Sequence, residues 1–408
     1  MPSNKARWFL NIKRRLSVLF YQGLKLKRTW IEINLDNLKF NFFKIKNVVE
    51  PKCKVMGIVK ADAYGHGDKI ISEHLIDYGV DWLGVSNIEE ALSLRRGGVK
   101  IPILVLGYTP PNLANVLFQY NITQTIFSFE YANQISQQAL KQGVTVQTHL
   151  KIDTGMNRIG FKTDEENFDF KELLKLYQLP SLIFSGIFTH FAVADGETLE
   201  DEKYTIYQYD LFVKTCNYLT KCGIDVGLRH CCNSAATIKY PYMHLDMVRP
   251  GIVLYGPYIP VDMSLKPVMV LKTKISMVKN LNKDETISYG RRFKANSPIK
   301  VATICIGYAD GYNRLLSNVG SVEVKNKTAK ILGTICMDQS MIDVTNIPDV
   351  CAGNEVTVWG DECCNLNNIA KLIGTIPYEL LCNVSKRVPR LYLKNNKEYA
   401  FVDYIASI

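Results

Sequence analysis

The chain has 408 residues, 47% hydrophobic and 22% charged, which is enough for two domains with cores of their own and too ordinary for a disordered protein. Its formal charge of +10 is concentrated: residues 1–28 hold eight basic side chains and no acidic one, leaving about +2 for the rest. That balance excludes a nucleic-acid-binding body.

The basic segment carries a short apolar stretch, Leu16 to Tyr21. It is followed by Gly23-Leu24-Lys25, which offers no signal-peptidase site. It is also far shorter than the roughly 20 residues of a membrane span. A poorly ordered extension is the preferred reading, and contact of a basic amphipathic helix with anionic lipid the lesser one. The eleven cysteines include the adjacent pairs Cys231-Cys232 and Cys363-Cys364 but match no zinc spacing. They read as reduced thiols of a cytoplasmic protein, with no metal expected.

From about Lys52 to Gly256 short apolar runs alternate with longer amphipathic stretches such as Asn87 to Gly97 and Glu130 to Gly143. The runs end at Lys60, Ser86, Gly107, Ser128, Ile152, His190, His230 and Arg249. Eight strand candidates separated by helix candidates predict an α/β fold, a (β/α)8 TIM-type barrel spanning 29–265. Beyond Lys266 the runs are short and alternating, from Val268 to Met277 through Ala329 to Thr334 to Glu355 to Trp359, with only Leu366 to Gly374 helical. A mainly β C-terminal domain over 266–408 is expected. Chemistry in such barrels gathers at the carboxyl ends of the strands, where Lys60, Lys151, His190, His230 and Arg249 fall.

The segment VKADAYGHG, Val59 to Gly67, sets Lys60 at the end of an apolar run, with Tyr64 four residues on. A lone lysine is usually solvated surface. One at the end of a buried strand titrates easily, which suits an amine that must form a Schiff base. LKIDTGMNRIG (150–160) adds Lys151 and Arg158, and THFAVAD (189–195) adds His190. RHCCNSAA (229–236) contributes His230, Asn233 and Ser234, small polar residues that are either helix caps or phosphate ligands. MVRPGIVLYG (247–256) supplies Arg249, Gly251 and Ile252. In the β domain, SYGRRF offers Tyr289, IGYADGY offers Tyr308 and Asp310, and CMDQSMIDV offers Met337 and Asp338. IPYELLCNVSKRVPRLY offers Tyr378.

These motifs, in this order, resemble those of the alanine racemases, which depend on pyridoxal 5'-phosphate, and the resemblance runs from about Thr29 onward. It implies that Lys60 binds the cofactor and serves as one base, and that Tyr289, delivered from a partner subunit of a homodimer, serves as the other. Tyr64, Asn233, Ser234, Gly251, Ile252 and Tyr378 would hold the phosphate end. Arg158 would meet the cofactor's phenolic oxygen and the substrate, supported by Lys151, a position often carbamylated in the family. His190 would pack on the pyridine ring. Arg249 would face the ring nitrogen and keep it unprotonated, steering the chemistry towards proton return at Cα. Tyr308 and Met337 would line the substrate's carboxylate and its way in, with Asp338 in support. A hydrogen-bonded chain from Tyr289 through His190 and Arg249 to His230 is expected to end at Glu89.

The function implied is interconversion of L- and D-alanine, supplying D-alanine for peptidoglycan. A serine-preferring racemase on the same scaffold is the first alternative, disfavoured by the retained Tyr378. A non-catalytic pyridoxal phosphate carrier is the second, disfavoured by the β domain and Tyr289.

Overall fold

The computed structural model describes residues 28–163, 170–360 and 364–405. They form two compact units, residues 37–266 and the combination of 28–36 with 267–405. The basic extension up to residue 27 lies outside the described residues. The first strand, β1 (Thr29–Asn34), belongs to the second unit and is followed by a helix, Leu35–Lys46.

The barrel unit contains all eight anticipated strands. They are β2 (Lys54–Ile58), β3 (Trp82–Val85), β4 (Ile103–Val105), β5 (Ile122–Ile126), β6 (Val146–Asp153), β7 (Leu182–Phe188), β8 (Leu228–His230) and β9 (Met247–Val248). Their order is β9-β2-β3-β4-β5-β6-β7-β8, and every neighbouring pair is parallel. Strands covered on both faces need continuous apolar runs rather than alternation, and β5 is buried at every position. The helices start where the sequence supplies caps. Asn87 accepts from Glu90 N–H, Ser128 from Tyr131 N–H, and Thr198 forms a capping box with Asp201.

No ladder joins β8 to β9 among the described residues. The ring is closed there by Asp246 N–H donating to Arg229 O at 3.1 Å and Arg249 N–H donating to Cys232 O at 3.0 Å. The Asp246 carboxylate reinforces the seam by accepting from Arg229 N–H at 2.8 Å and from Arg229 Nε at 2.8 Å.

The second unit is a mixed sheet. Its further strands are β10 (Met269–Leu281), β11 (Ile299–Ile304), β12 (Ser321–Val324), β13 (Lys327–Lys330), β14 (Ser340–Asp343), β15 (Glu355–Trp359), β16 (Arg390–Lys394) and β17 (Lys397–Val402). The order is β13-β12-β15-β10-β1-β16-β17, with β11 and β14 branching from β10. A register shift between Ile275 and Met277 bends β10, so that its first part pairs with β1 and its second with β11. Trp30 and Trp359 are buried in this unit.

Three expectations are corrected here. Residues 29–36, assigned to the barrel by the sequence, pair through β1 antiparallel with β10 and parallel with β16. Strand β13 starts two residues before Ala329, because Lys325 and Asn326 both adopt positive φ and make a two-residue hairpin turn. Asn395 and Asn396 do the same between β16 and β17, a hairpin the sequence reading did not assign.

The Asp246 seam is testable. Burial alone would raise its carboxyl pKa, but the hydrogen bonds from Arg229 outweigh that and hold it below the usual carboxylate value. A depressed folded-state pKa gives stability that is present above the unfolded value and lost as pH falls through the folded one. Asp246→Asn should therefore lower stability by about 1 kcal/mol near neutral pH, a figure discounted for the partial exposure of the pair. The gap to the parent should close in acid. Urea unfolding at both pH values measures it, and a gap that persists in acid would refute the electrostatic account.

Candidate functional site

Lys60 stands two residues beyond the end of β2 and is half-buried. The backbone after it does something no residue pattern announced. Ala61, Asp62 and Ala63 lie at φ 53°, 55° and 52°, and Tyr64 at φ 53°, a turn of left-handed helix built without glycine. Each such residue costs roughly 1–2 kcal/mol, so the turn must be held from outside. The Glu90 carboxylate does this, accepting from Ala61 N–H at 2.7 Å and from Ser86 N–H at 2.7 Å. Asp62 closes the other end by accepting from Asp68 N–H at 3.0 Å.

The left-handed turn carries the Tyr64 ring against Tyr255, with centroids 5.0 Å apart. Its hydroxyl lies so close to Gly251 that a Cβ there would meet it at 2.6 Å. Gly251 N–H in turn donates to Ser234 Oγ at 2.9 Å. Tyr64, Ser234, Gly251 and the adjoining Ile252 thus lie together, with the Tyr64 and Ser234 hydroxyls both at the Gly251 backbone. Ser234 accepts from the backbone there, which leaves its hydroxyl hydrogen for another acceptor. Asn233 is the cap of the helix Ser234–Lys239, its side-chain oxygen taken by Ala236 N–H at 3.0 Å.

Arg249 follows β9 and is only 4% exposed. Its Nη1 donates to His230 Nδ1 at 3.0 Å, and its Nη2 to Thr189 O at 2.8 Å, Cys231 O at 3.0 Å and His190 Nδ1 at 3.2 Å. All four acceptors are uncharged. Burial lowers even this guanidinium to about 10. Phe188 lies beside it, 5.4 Å from ring centroid to guanidinium carbon, and stacks on His230 at 4.8 Å.

His190 is held well below the usual histidine range by burial and then by Arg249, Lys151, Arg158 and Lys60. Four cationic side chains therefore act on this one imidazole. Lys151 is buried, with Nζ donating to Ile152 O at 2.7 Å. Burial brings it down to about 7, Asp153 opposing and Arg249 and Arg158 assisting. Arg158 is exposed, on a loop closed by Asp153 Oδ1, which accepts from Gly155 and Asn157 N–H at 3.0 Å each. The Cys231 and Cys232 thiols both point at Met243 O, at 3.1 and 3.2 Å, and burial pushes the Cys232 thiol well up. Both are buried and pack in the barrel interior.

The expected chain end at Glu89 is not what the structure holds. Glu89 is exposed, and His230 Nε2 meets His149 Nδ1 at 2.9 Å instead. Neither His149 nor Glu90 was singled out by sequence. The signal for His149 lay in its position two residues before Lys151 on the same strand, which sends both side chains to one face.

In the second unit Tyr289 sits on a short turn, Tyr289–Arg291, and is 73% exposed. Thr334 staples the turn, its Oγ1 donating to Tyr289 O at 2.9 Å and its carbonyl accepting from Ser288 Oγ. Tyr308 N–H donates to Cys336 O at 3.0 Å, and Ala309 N–H to Met337 O at 3.0 Å. Tyr289, Tyr308 and Met337 are brought together as one exposed cluster. Beneath it, buried Asp310 accepts from Gly307 N–H at 3.0 Å and from Arg387 Nε at 2.8 Å, and Arg387 also grips Asp338. Tyr378, half-buried, lies on the helix Pro377–Cys382, another element the sequence reading left unassigned.

A parallel barrel with a half-buried lysine just past one strand and a buried arginine just past another has the architecture of a barrel enzyme. The chain matches the alanine racemase N-terminal domain over residues 33–259 and the alanine racemase C-terminal domain over 268–392. It is 44% identical to the alanine racemase of Clostridium tetani over 93% of this chain and 99% of that protein. It is 41% identical to alanine racemase 1 of Clostridium acetobutylicum, again over 93% and 99%. Among solved structures, the Clostridium difficile 630 alanine racemase superposes with a TM-score of 0.87 at 40% identity, covering 93% of this chain and 99% of that one. The Bacillus anthracis alanine racemase with bound L-Ala-P gives 0.88 at 33% identity, covering 94% and 100%. The chain belongs to the alanine racemase family, and it is an amino-acid racemase, an isomerase.

The Glu90 clamp yields a prediction. Glu90→Ala should cost about 1–2 kcal/mol in stability through two lost charge-assisted hydrogen bonds. Glu89→Ala, one residue away on the exposed side, should stay within about 0.5 kcal/mol. Equal losses in urea titrations of the two variants would show that the turn does not depend on Glu90.

Proposed function

We propose that the chain interconverts L- and D-alanine by moving a proton on and off Cα with two bases, Lys60 on one face and Tyr289 of the partner subunit on the other. Bound pyridoxal phosphate supplies the electron sink that makes that proton removable. The residues present fit this cofactor: a half-buried amine, the Tyr64 and Ser234 hydroxyls grouped at the Gly251 backbone, and the cationic side chains around His190. Tyr64, Ser234, Gly251 and Ile252 would hold its phosphate, with Tyr378 in support. Arg158 would hold its phenolic oxygen and the substrate, and Arg249 would keep its ring nitrogen unprotonated.

The observation that carries the reading is the bonding of Arg249. Because the guanidinium donates to His190 Nδ1, the neutral imidazole carries its hydrogen on Nε2. An Nε2–H turned to the Tyr289 oxygen stabilises a phenolate. A free phenol ionises only near pH 10, so a tyrosine base needs such a donor. The exposure of Tyr289, Tyr308 and Met337, at 73%, 44% and 53%, fits a surface completed by a second copy. Met337 and Tyr308 would then line the substrate's way in. Retention of Tyr378 favours alanine over serine. No helix among the described residues is long and apolar enough to cross a membrane, which accords with a cytoplasmic enzyme.

Lys60→Ala should abolish racemisation together with the visible absorbance of the lysine-linked cofactor. Tyr289→Phe should keep the cofactor and lose both reaction directions. Mixing the two inactive variants should restore part of the activity, because one of the two hybrid sites then has both bases. Proven mixed dimers without recovery would sink the shared-site geometry. Chiral analysis of L-alanine and L-serine incubations decides the substrate.

A second proposal concerns Lys151. An amine lowered to about 7 is substantially neutral at physiological pH. It can attack carbon dioxide, forming an N–C bond and releasing its proton, and the resulting carbamate would hold Arg158. Intact mass in bicarbonate should rise by one carbon dioxide and fall back in acid. The same gain in Lys151→Ala would place the modification elsewhere.

A further inference from the structure

We propose that His149 is a positioning residue: it is the terminal acceptor of a one-way hydrogen-bond chain, Arg249 to His230 to His149, that fixes the orientation and the unshared charge of Arg249. The direction of the chain follows from donor and acceptor inventory alone. A guanidinium only donates, so His230 Nδ1, 3.0 Å from Arg249 Nη1, must accept. A neutral His230 then has its one hydrogen on Nε2, which faces His149 Nδ1 at 2.9 Å. That nitrogen must accept in turn, so the hydrogen of His149 is on Nε2. There the chain stops: His149 Nε2 is buried with no hydrogen-bond partner among the described residues.

Both imidazoles are fully buried, and burial together with Arg249 lowers each one, His149 to about 3. Protonating His230 would turn two donors on each other across the Arg249 contact. Protonating His149 would do so across the His230 contact. A carboxylate at the end, as the sequence led one to expect from Glu89, would do the reverse by drawing His230 towards imidazolium and offsetting the arginine. Ending in a neutral ring keeps the guanidinium's charge undiluted and leaves its Nη2 directed at His190.

The barrel makes room for this ring. A Cβ on Gly186 would lie 2.6 Å from His149 Cε1, and Trp82 packs against the imidazole at 5.1 Å between centroids. A buried donor left without an acceptor destabilises the fold. A histidine stands here in spite of that cost, where an apolar ring would fill the same space without it, which argues for a role beyond filling space.

The chain contains six histidines, so the 15N-imidazole spectrum of the labelled holoenzyme is simple enough to assign. His230 and His149 should both appear as neutral rings protonated on Nε2. A His230 protonated on Nδ1, or on both nitrogens, would overturn the proposal whatever the enzyme's activity. The kinetic arm rests on the racemase reading. His149→Phe fills the volume without an acceptor and should lose up to about 100-fold in kcat, as a displaced active-site group does, with KM and cofactor content little changed. His149→Gln, whose amide oxygen still accepts, should recover most of that loss. Phe and Gln variants equally impaired, or a Phe variant at parental kcat, would also overturn it. If the Phe variant fails to fold, Gly186→Ala, which displaces the ring while keeping it, carries the same kinetic expectation. A parent holoenzyme with the expected spectrum but no racemisation would refute the function and leave the chain intact.

Discussion

Arg249 is a permanent cation in the interior of a barrel, and every partner it has is neutral. Taking a charge out of water is costly unless it is paired, so such a residue persists only where its field is used. Much of the surrounding architecture serves it. The loop after β7 presents Thr189 O and His190, the loop after β8 presents Cys231 O, and Phe188 lies beside the cation. The seam between β8 and β9 is closed by the backbone of Arg249 itself. From just beyond β9, Arg249 reaches acceptors at the carboxyl ends of β7 and β8.

The same electrostatic condition explains the lysines. With Arg249 fixed, any second cation nearby is disfavoured. Burial is the larger cause and Arg249 adds to it: Lys151 falls to about 7 with Asp153 opposing, and His190 and His230 are held well below the usual histidine range. An anion-bearing ligand relieves all of these groups at once. If the proposed cofactor binds here, its binding and the protonation pattern of the site would be governed by one charge balance, with part of the compensation at Tyr64, Ser234 and Gly251.

Much of this was legible from the chain. The eight barrel strands read out as apolar runs because parallel strands are buried on both faces, and Lys60, His190, His230 and Arg249 fell at or just beyond the run ends. What did not read out has physical reasons. Strand β1 looks like any strand preceding a barrel, and only pairing with partners some 240 and 360 residues away assigns it elsewhere. The left-handed turn at Ala61 to Tyr64 consists of residues with no preference for it, so it is imposed by Glu90 and Asp62 rather than by local propensity. Glu89 and Glu90 are indistinguishable as neighbours in a helix's first turn, and the side of the helix each faces decides which is used.

His149 is the sharper case. Neither composition nor spacing separates a buried histidine that orders a network from one that merely fills a core. The separating fact is the count of donors and acceptors along Arg249, His230 and His149, which exists only once the barrel brings β6, β8 and the residue after β9 to one interior. Reading that count from the cation inward gives a direction, and a direction needs an end. An acidic end would share the charge of Arg249, whereas the imidazole end seen here returns it whole to the mouth of the barrel. On the proposed reading, in which Arg249 would face the cofactor's ring nitrogen, an undivided positive charge would disfavour protonation of that nitrogen and so favour return of the proton to Cα.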